Sequence, residues 1–341
     1  MRLLLHAPNV NTGGGVRLMQ QLLSIHPLPV TWAQLDARTR GSGLSTTGLM
    51  LHWVKRTLRS RILAELRLWW VCRPGDVVLC FHGLPPLLPL PGRVVVFVQN
   101  RLLTERGSLA GYPSKTRIRL LIERAWIRAL HRRCSRYIVQ TPSMARSLRS
   151  WLRSEEPISV TPFASAEPLG AISTSGNALG RFDFVYVASG EAHKNHWKLL
   201  EAWHLLAQRG HRPSLALTLD GKSFPALCSR VDQLSDKYGL AVSNLGILSS
   251  EAVDALYRVA GALIYPSTSE SLGLPLIEAA RRGLPILAPE LDYVRDVVEP
   301  AHTFDPNSPV SIARAVMRFL GVAEVPMKMG TVAGFLEEVL R

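Results

Sequence analysis

Acidic residues are scarce in the first half of this chain. Residues 1–163 hold 7 Asp and Glu against 24 Lys and Arg, whereas the remainder holds 19 against 16. The formal charge of +14 thus divides into +17 and −3. A half so poor in acid suits an anionic partner: nucleic acid, an anionic membrane or an anionic substrate. Cysteine is sparse too. Cys72, Cys80, Cys134 and Cys228 stand far apart with no C-x-x-C pair. That argues against a zinc site or a secreted disulfide framework, and for a reducing compartment. No run of about 18 uncharged apolar residues occurs, so nothing reads as a membrane span. The opening "MRLLLHAPNV" has only a three-leucine run before His6 and Pro8, too short for a signal peptide. These absences predict a cytoplasmic protein. There is no short-period repeat.

What is present is alternation. At 341 residues the chain suits two domains, and a hydrophobic content of 47% excludes wholesale disorder. Apolar runs that read as buried strands include "RLLLHAP", "DVVLCF" (76–81), "RVVVFV" (93–98) and "RYIVQT" (136–141), with helical patterns between them such as residues 114–133. Residues 162–180, rich in Pro, Ala, Gly and Ser, read as a linker. The alternation then restarts with "FDFVYVAS" (182–189), "LALTLD" (215–220) and "VSNLG" (242–246). The fold class predicted is α/β, with two doubly wound Rossmann-like domains facing a central cleft, since such sheets bind ligands at their strands' carboxyl ends. The boundaries are 1–163, a linker at 164–181, and 182–324, with a C-terminal helix at 325–341 returning to the first domain.

The most informative stretch is "YPSTSESLGLPLIEAARRGLPIL" (265–287). "GALIY" before it reads as a strand, Pro275 suits a first helical turn, and Gly283 stands where a helix ends. A glycine-bearing loop feeding a helix N-terminus is a natural phosphate seat. Glu270 in the turn and Glu278 in the helix then suit the hydroxyls of a sugar attached to that phosphate. The alternative is a solvated Glu270 and a Glu278 that only favours the helix start. Lys194 in "ASGEAHKNHWKLLEAW" sits in a second strand-to-helix junction and suits a diphosphate, or is an ordinary solvated lysine. His193 and His196 lack the further ligands of a metal site. Gly13-Gly14-Gly15 form a flexible turn or a place of close backbone approach. His82 follows one strand, and Asn100 and Arg101 follow another, at carboxyl ends that would face the cleft.

Together these residues resemble the retaining glycosyltransferases of the GT-B fold, glycosyltransferase family 4 (the group 1 transferases). "SESLGLPLIEA" is similar to that family's E-x7-E motif, and "HKNHWKLLEAW", "NLGILSSEAVDALYRVAGALIYPS" and "RRGLPILAP" continue the pattern in order. "GGGVRLMQQLL" and "RYIVQTPSMARSL" are similar to first-domain segments. The match is good over residues 182–300 and weaker before them.

The resemblance implies a nucleotide-sugar-dependent hexosyltransferase. Glu270 would contact the donor sugar and Glu278 the ribose. The backbone of Ser271, Leu272 and Gly273, with Lys194 and the Gly190 turn, would hold the diphosphate. Gly14 and Gly15 would approach it from the first domain. His82, with Glu270 and Lys194, would stand on the catalytic side, and Asn100 and Arg101 would be candidates for the acceptor side. Two departures stand out: Glu191 follows Gly190 where relatives carry Arg, and Gln99-Asn100 replace a second histidine. No Asp-x-Asp occurs, which agrees with a metal-independent reaction without cofactor. The resemblance also implies retention by front-side attack.

The predicted partners are a nucleotide-sugar donor, a saccharide or lipid-linked acceptor of surface polysaccharide assembly such as lipopolysaccharide, and an anionic membrane surface on the cytoplasmic face. Residues 49–70 carry Val54, Leu58, Ile62, Leu66 and Trp69 near helical spacing among Lys55, Arg56, Arg59, Arg61 and Arg67. A basic amphipathic helix with tryptophan suits an anionic membrane, and the alternative is a core-facing helix with a solvated charged face. Competing functions are a nucleic-acid-binding protein and an enzyme of the same fold such as a nucleotide-sugar epimerase or a phosphorylase. No nucleic-acid-binding signature occurs, so nucleic acid is not an expected partner.

Overall fold

The computed structural model describes residues 2–11, 13–25, 30–105, 109, 111–152, 157–163 and 182–322. The linker at 164–181 and the helix expected at 325–341 lie outside the described residues. The first sheet has seven strands: β1 (Leu3–Ala7), β2 (Val30–Asp36), β3 (Met50–Val54), β4 (Val77–Cys80), β5 (Arg93–Phe97), β6 (Arg136–Val139) and β7 (Ile158–Val160), ordered β3-β2-β1-β4-β5-β6-β7. The second has six: β8 (Phe182–Tyr186), β9 (Leu215–Leu217), β10 (Val242–Asn244), β11 (Ala260–Ile264), β12 (Ile286–Pro289) and β13 (His302–Phe304), ordered β10-β9-β8-β11-β12-β13. Every pairing in both sheets is parallel.

Parallel strands need crossovers, and the helices supply them. The first domain has α1 (Gly13–Leu23), α2 (Leu58–Val71), α3 (Ser114–Leu130) and α4 (Pro142–Leu152). The second has α5 (His196–Gln208), α6 (Pro225–Tyr238), α7 (Ser250–Val259), α8 (Leu274–Arg281), α9 (Asp292–Arg295) and α10 (Pro309–Phe319). Helices on both faces bury the strands on both sides, which is why the strands read as near-continuous apolar runs. In each sheet the chain reverses its direction of growth beside the first strand, between β1 and β4 and between β8 and β11. A crevice opens where strand order reverses, and the loops after those strands line it.

Two expectations are corrected. Gly13, Gly14 and Gly15 are not a loop; they are the first turn of α1, with Gly13 at φ 61°. Residues 49–70 are not one helix. Met50–Val54 is an edge strand whose residues pair with β2 from Trp32 to Asp36, and Val54 is buried there. The helix starts at Leu58, after Thr57 accepts a cap hydrogen bond from the Ser60 N–H. Its inward residues are Ala64, Glu65 and Leu68. Leu58, Ile62, Leu66 and Trp69 face outward, together with Leu63 and Trp70, the last 82% exposed. From Leu58 to Trp69 the apolar stripe therefore does not face the core of its own sheet.

Candidate active site between the two sheets

A cavity of ≈ 680 Å³ lies between the domains. Two helix N-termini face it, one from each body: residues 13–17 of α1 and residues 271–275 entering α8. A β-carbon on Gly14 would stand 3.5 Å from Leu274 Cδ1, so the two helix starts approach to side-chain contact. Gly273 caps α8 at φ 68°, a left-handed conformation that glycine adopts without strain, and this frees the preceding backbone to turn toward the cavity. Unpaired N–H groups and partial positive charge thus converge from both sides, a strong preference for an anion. The cavity's far end is lined by Val187, Thr218, Asp220, Ile247 and Leu248.

Lys194 and Glu270 both line this cavity and bind each other, with Nζ 2.6 Å from Oε1. The same oxygen accepts from the Tyr265 hydroxyl at 2.9 Å. Burial pushes the Glu270 carboxyl upward, but Lys194, with help from His193 and Ser267, more than reverses this and holds it below the ordinary value. Neighbouring backbone fixes the lysine. Asn195 is the only described non-glycine residue with positive φ, at 61°, and its Nδ2 donates to Pro266 O at 3.1 Å and Pro306 O at 2.7 Å. The carbonyl of His193 accepts from Thr268 N at 2.8 Å, and that of Lys194 from the Tyr186 hydroxyl at 2.7 Å. A locally unfavourable backbone is held by tertiary bonds, which places the ammonium beside Glu270. Glu191, where an arginine was expected, accepts from the Ser189 hydroxyl and lends no positive charge.

Glu278 does not open directly into this cavity. It lines an adjoining one of ≈ 390 Å³, and the two meet at Arg17, Val253 and Leu274. Arg17 Nη1 lies 2.7 Å from Glu278 Oε1, and Nη2 donates to Ser250 Oγ at 2.9 Å, a bridge from α1 to the other domain. Glu278 Oε2 is shut off from solvent, and the carboxylate also meets the Tyr257 hydroxyl. Ser271, Leu272, Gly273, Gly14 and Gly15 line the main cavity as expected. Gly190 does not: a β-carbon there would lie 2.5 Å from the Phe224 ring, so packing against Phe224 explains this glycine. Arg101 also leaves its expected place. It pairs with Glu105, donates to Ser143 Oγ at 3.1 Å and reaches Glu270 O at 3.4 Å, so it ties the domains together and does not line the acceptor side.

Asn100 and His82 share a second cavity of ≈ 530 Å³ in the first domain, which meets the main one at Asn11, Gly15 and Gln99. His82 Nδ1 lies 3.2 Å from the carbonyl of His6. A carbonyl only accepts, so Nδ1 carries the proton and Nε2 is the acceptor. Burial, then the neighbouring His6, push the His82 pKa down to about 3. A neutral imidazole with so low a pKa positions a hydroxyl far better than it removes the proton. Beneath it His6 binds Gln34 at 2.8 Å and Glu65 at 3.2 Å, and Glu65 also accepts from Leu87 N, a buried network that fixes the ring above.

Sequence reading missed Arg17, Thr218 and Asp220. The last two were detectable as polar residues closing the run "LALTLD" at a strand's carboxyl end; Arg17 gave no local signal. Among the described residues no cluster of metal-ligating side chains occurs, and no helix is long and apolar enough to cross a membrane.

Residues 172–333 match the family model "Glycosyl transferases group 1". The serotype-specific mannosyltransferase WbdA of Escherichia coli is 27% identical over 222 residues, 58% of this chain and 27% of WbdA. The O-antigen chain mannosyltransferase B of Escherichia coli is 29% identical over 139 residues, 40% of this chain and 36% of that protein. The chain therefore spans roughly a quarter to a third of the curated relatives it matches. HepE of Anabaena, solved in complex with UDP and glucose, superposes with a TM-score of 0.70 at 15% identity, covering 94% of this chain and 90% of that one. The architecture is the GT-B fold.

Proposed function

We propose that this protein, whose residues 172–333 match the model of the group 1 glycosyl transferases, moves a hexose from a nucleoside-diphosphate sugar to a saccharide or lipid-linked acceptor in surface polysaccharide assembly. The observation that carries this reading is the convergence of two helix N-termini and the Lys194–Glu270 pair on one interdomain cavity. The diphosphate sits between the two helix starts. Its negative charge grows as the sugar–oxygen bond breaks, and dipoles fixed beforehand favour that state over the ground state. Lys194 leans toward the leaving phosphate, and Glu270 faces the sugar. Glu278, held by Arg17 where the two cavities meet, takes the ribose. The base fits the end lined by Val187, Thr218, Asp220 and Ile247. Of the relatives, WbdA and mannosyltransferase B support a hexose donor and an O-antigen type of acceptor, and HepE supports a nucleoside diphosphate in this cavity.

Retention belongs to the same proposal. Glu270 is tied to Lys194 and Tyr265, which leaves it poorly placed as a covalent nucleophile. Gly15 borders both cavities, so an acceptor hydroxyl enters on the side that holds the diphosphate. Attack from that face keeps the anomeric configuration, with His82 Nε2 orienting the hydroxyl and the departing phosphate taking its proton. No metal is required. The test is a panel of nucleotide sugars, read for slow donor hydrolysis and, with an acceptor, for the anomeric configuration of the product by NMR. A panel in which no nucleotide sugar is bound or cleaved overturns the reading; an inverted product overturns the retention.

The outward apolar stripe of α2 supports a peripheral position on an anionic membrane. Ile118, Leu121 and Ile122 of α3 are exposed as well, each between 56 and 58%. Apolar side chains flanked by Arg59, Arg67, Lys115 and Arg117 suit an acyl boundary under phosphate headgroups. Flotation with anionic vesicles that weakens as salt rises supports this position; no flotation at low salt overturns it.

A further inference from the structure

The ≈ 530 Å³ cavity beside His82 is lined by four arginines, Arg38, Arg56, Arg61 and Arg119, and one acid, Glu123. They come from separate places: the turn after β2, the approach to α2, α2 itself and α3. The available acid is already committed. Asp36 accepts from Arg38 through both oxygens, at 2.9 and 2.6 Å, and Glu123 lies 4.0 Å from Arg119. Among the described residues, Arg56 and Arg61 have no ion-pair partner. Arg61 is half-buried, and its Nε is shut off from solvent with no hydrogen-bond partner. Burial, together with the nearby Arg38 and Arg56, pulls the Arg61 pKa down while Asp36 and Glu123 oppose it.

Arg56 and Arg61, without carboxylates of their own and beside two further guanidiniums, are repelled by their neighbours, and an anion in the cavity removes that penalty. The cavity has a direction. At one end Asn11, Gly15 and Gln99 join it to the donor cavity, with His82 and Asn100 alongside. At the other, Arg61 and Arg119 stand on the two helices whose outer faces expose Ile62, Leu66, Ile118 and Ile122. We infer that this cavity seats the phosphate or diphosphate of a lipid-borne acceptor, with its reacting hydroxyl toward His82 and its lipid running out along α2 and α3. This rests on the transferase reading above and narrows its acceptor. The volume suits a sugar with a diphosphate, and bidentate arginines suit phosphate oxygens.

The test is calorimetric titration of inorganic pyrophosphate into wild type, Lys194→Ala, Arg56→Gln and Arg61→Gln. Wild type is expected to bind at two sites. Lys194→Ala loses the donor-side site; Arg56→Gln and Arg61→Gln keep that site and weaken the other about tenfold or more, in line with a lost charged hydrogen bond. Arg61→Lys recovers part of the loss, and exposed Arg56 serves as the variant least able to disturb folding. A single site, abolished by Lys194→Ala and indifferent to both arginines, overturns the proposal. A second arm uses a polyprenyl diphosphate in neutral phosphatidylcholine vesicles. Wild-type flotation lost in Arg56→Gln supports the lipid-borne source. Pyrophosphate binding with no flotation overturns the lipid and leaves a soluble anionic acceptor. Because donor hydrolysis needs no acceptor, the nucleotide-sugar panel fails or succeeds independently of these outcomes.

Discussion

In the second domain the helices beside the switch-point strand turn their apolar sides inward: α7 buries Val253, Leu256 and Tyr257, and α8 buries Leu276 and Ala279. In the first domain α2 and α3 bury little more than Ala64, Leu68, Leu120 and Ile127 and expose a run of leucine, isoleucine and tryptophan. The two sheets share strand order and direction, so the difference is not one of fold. One domain turns the apolar sides of these helices inward and lines the cavity with loop ends. The other leaves apolar side chains of α2 and α3 and an excess of positive charge outside, the kind of surface that marks an interaction site. Shared topology therefore says little about chemistry; loop ends and outer faces say more.

The sharpest way to break this contrast is at the donor seat. Lys194→Ala should slow transfer by roughly 10²–10³, as loss of one preorganised donor does, with a smaller change in KM. Near-normal kcat would mean that another cation serves the leaving group, and Arg17 is the first to examine. Glu278→Gln should weaken nucleoside-diphosphate binding about ten- to a hundredfold without loss of Tm. Unchanged affinity in calorimetry removes the ribose role. Arg17→Ala should then act oppositely and modestly, tightening binding about two- to fivefold by releasing Glu278 from a partly exposed ion pair. Weaker binding would place Arg17 on the diphosphate.

Stability against pH separates the domains next. Burial holds His82 in the first and His196 in the second at about 3, far below an ordinary histidine near 6.5. Between these values the unfolded chain binds more protons than the folded one, so stability is full above about pH 6.5 and falls as pH drops toward 3. Tm should be flat above neutrality and decline by several degrees by pH 4.5. His196→Phe, set against the Tyr186 ring 4.8 Å away, should flatten that decline. An unchanged slope would mean the acid loss belongs to other groups. The smallest effect is expected outside. Trp70→Gln and Leu63→Gln should shift stability by less than about 0.5 kcal/mol, because both side chains are exposed, while reducing vesicle flotation.

The second domain was the more legible because its site is local. Glu270, Gly273 and Pro275 fall within six residues, and strand, turn and helix signals flank them in order. The same was not true of α2. Periodicity ran through residues 49–70 unbroken, and only pairing of Met50–Val54 with β2 showed where the strand ended and the helix began. Gly190 looked functional because glycine is silent about whether a ligand or a neighbour such as Phe224 needs the space. Arg38, Arg56, Arg61 and Arg119 are scattered along the chain and meet only after folding, as do Arg17 and Glu278. Charge composition announced the excess of arginine without locating it.

The helix starts of α1 and α8 belong to different bodies yet look into one cavity. An anion held between them is a bond between the domains as much as a ligand of either. On the proposed chemistry, the nucleoside diphosphate left after transfer carries at least as much of that charge. It keeps the two bodies drawn together when the sugar has gone. Clearance of the spent nucleotide then becomes the slow event of the cycle, and the enzyme's pace is set by how quickly its surroundings remove that by-product.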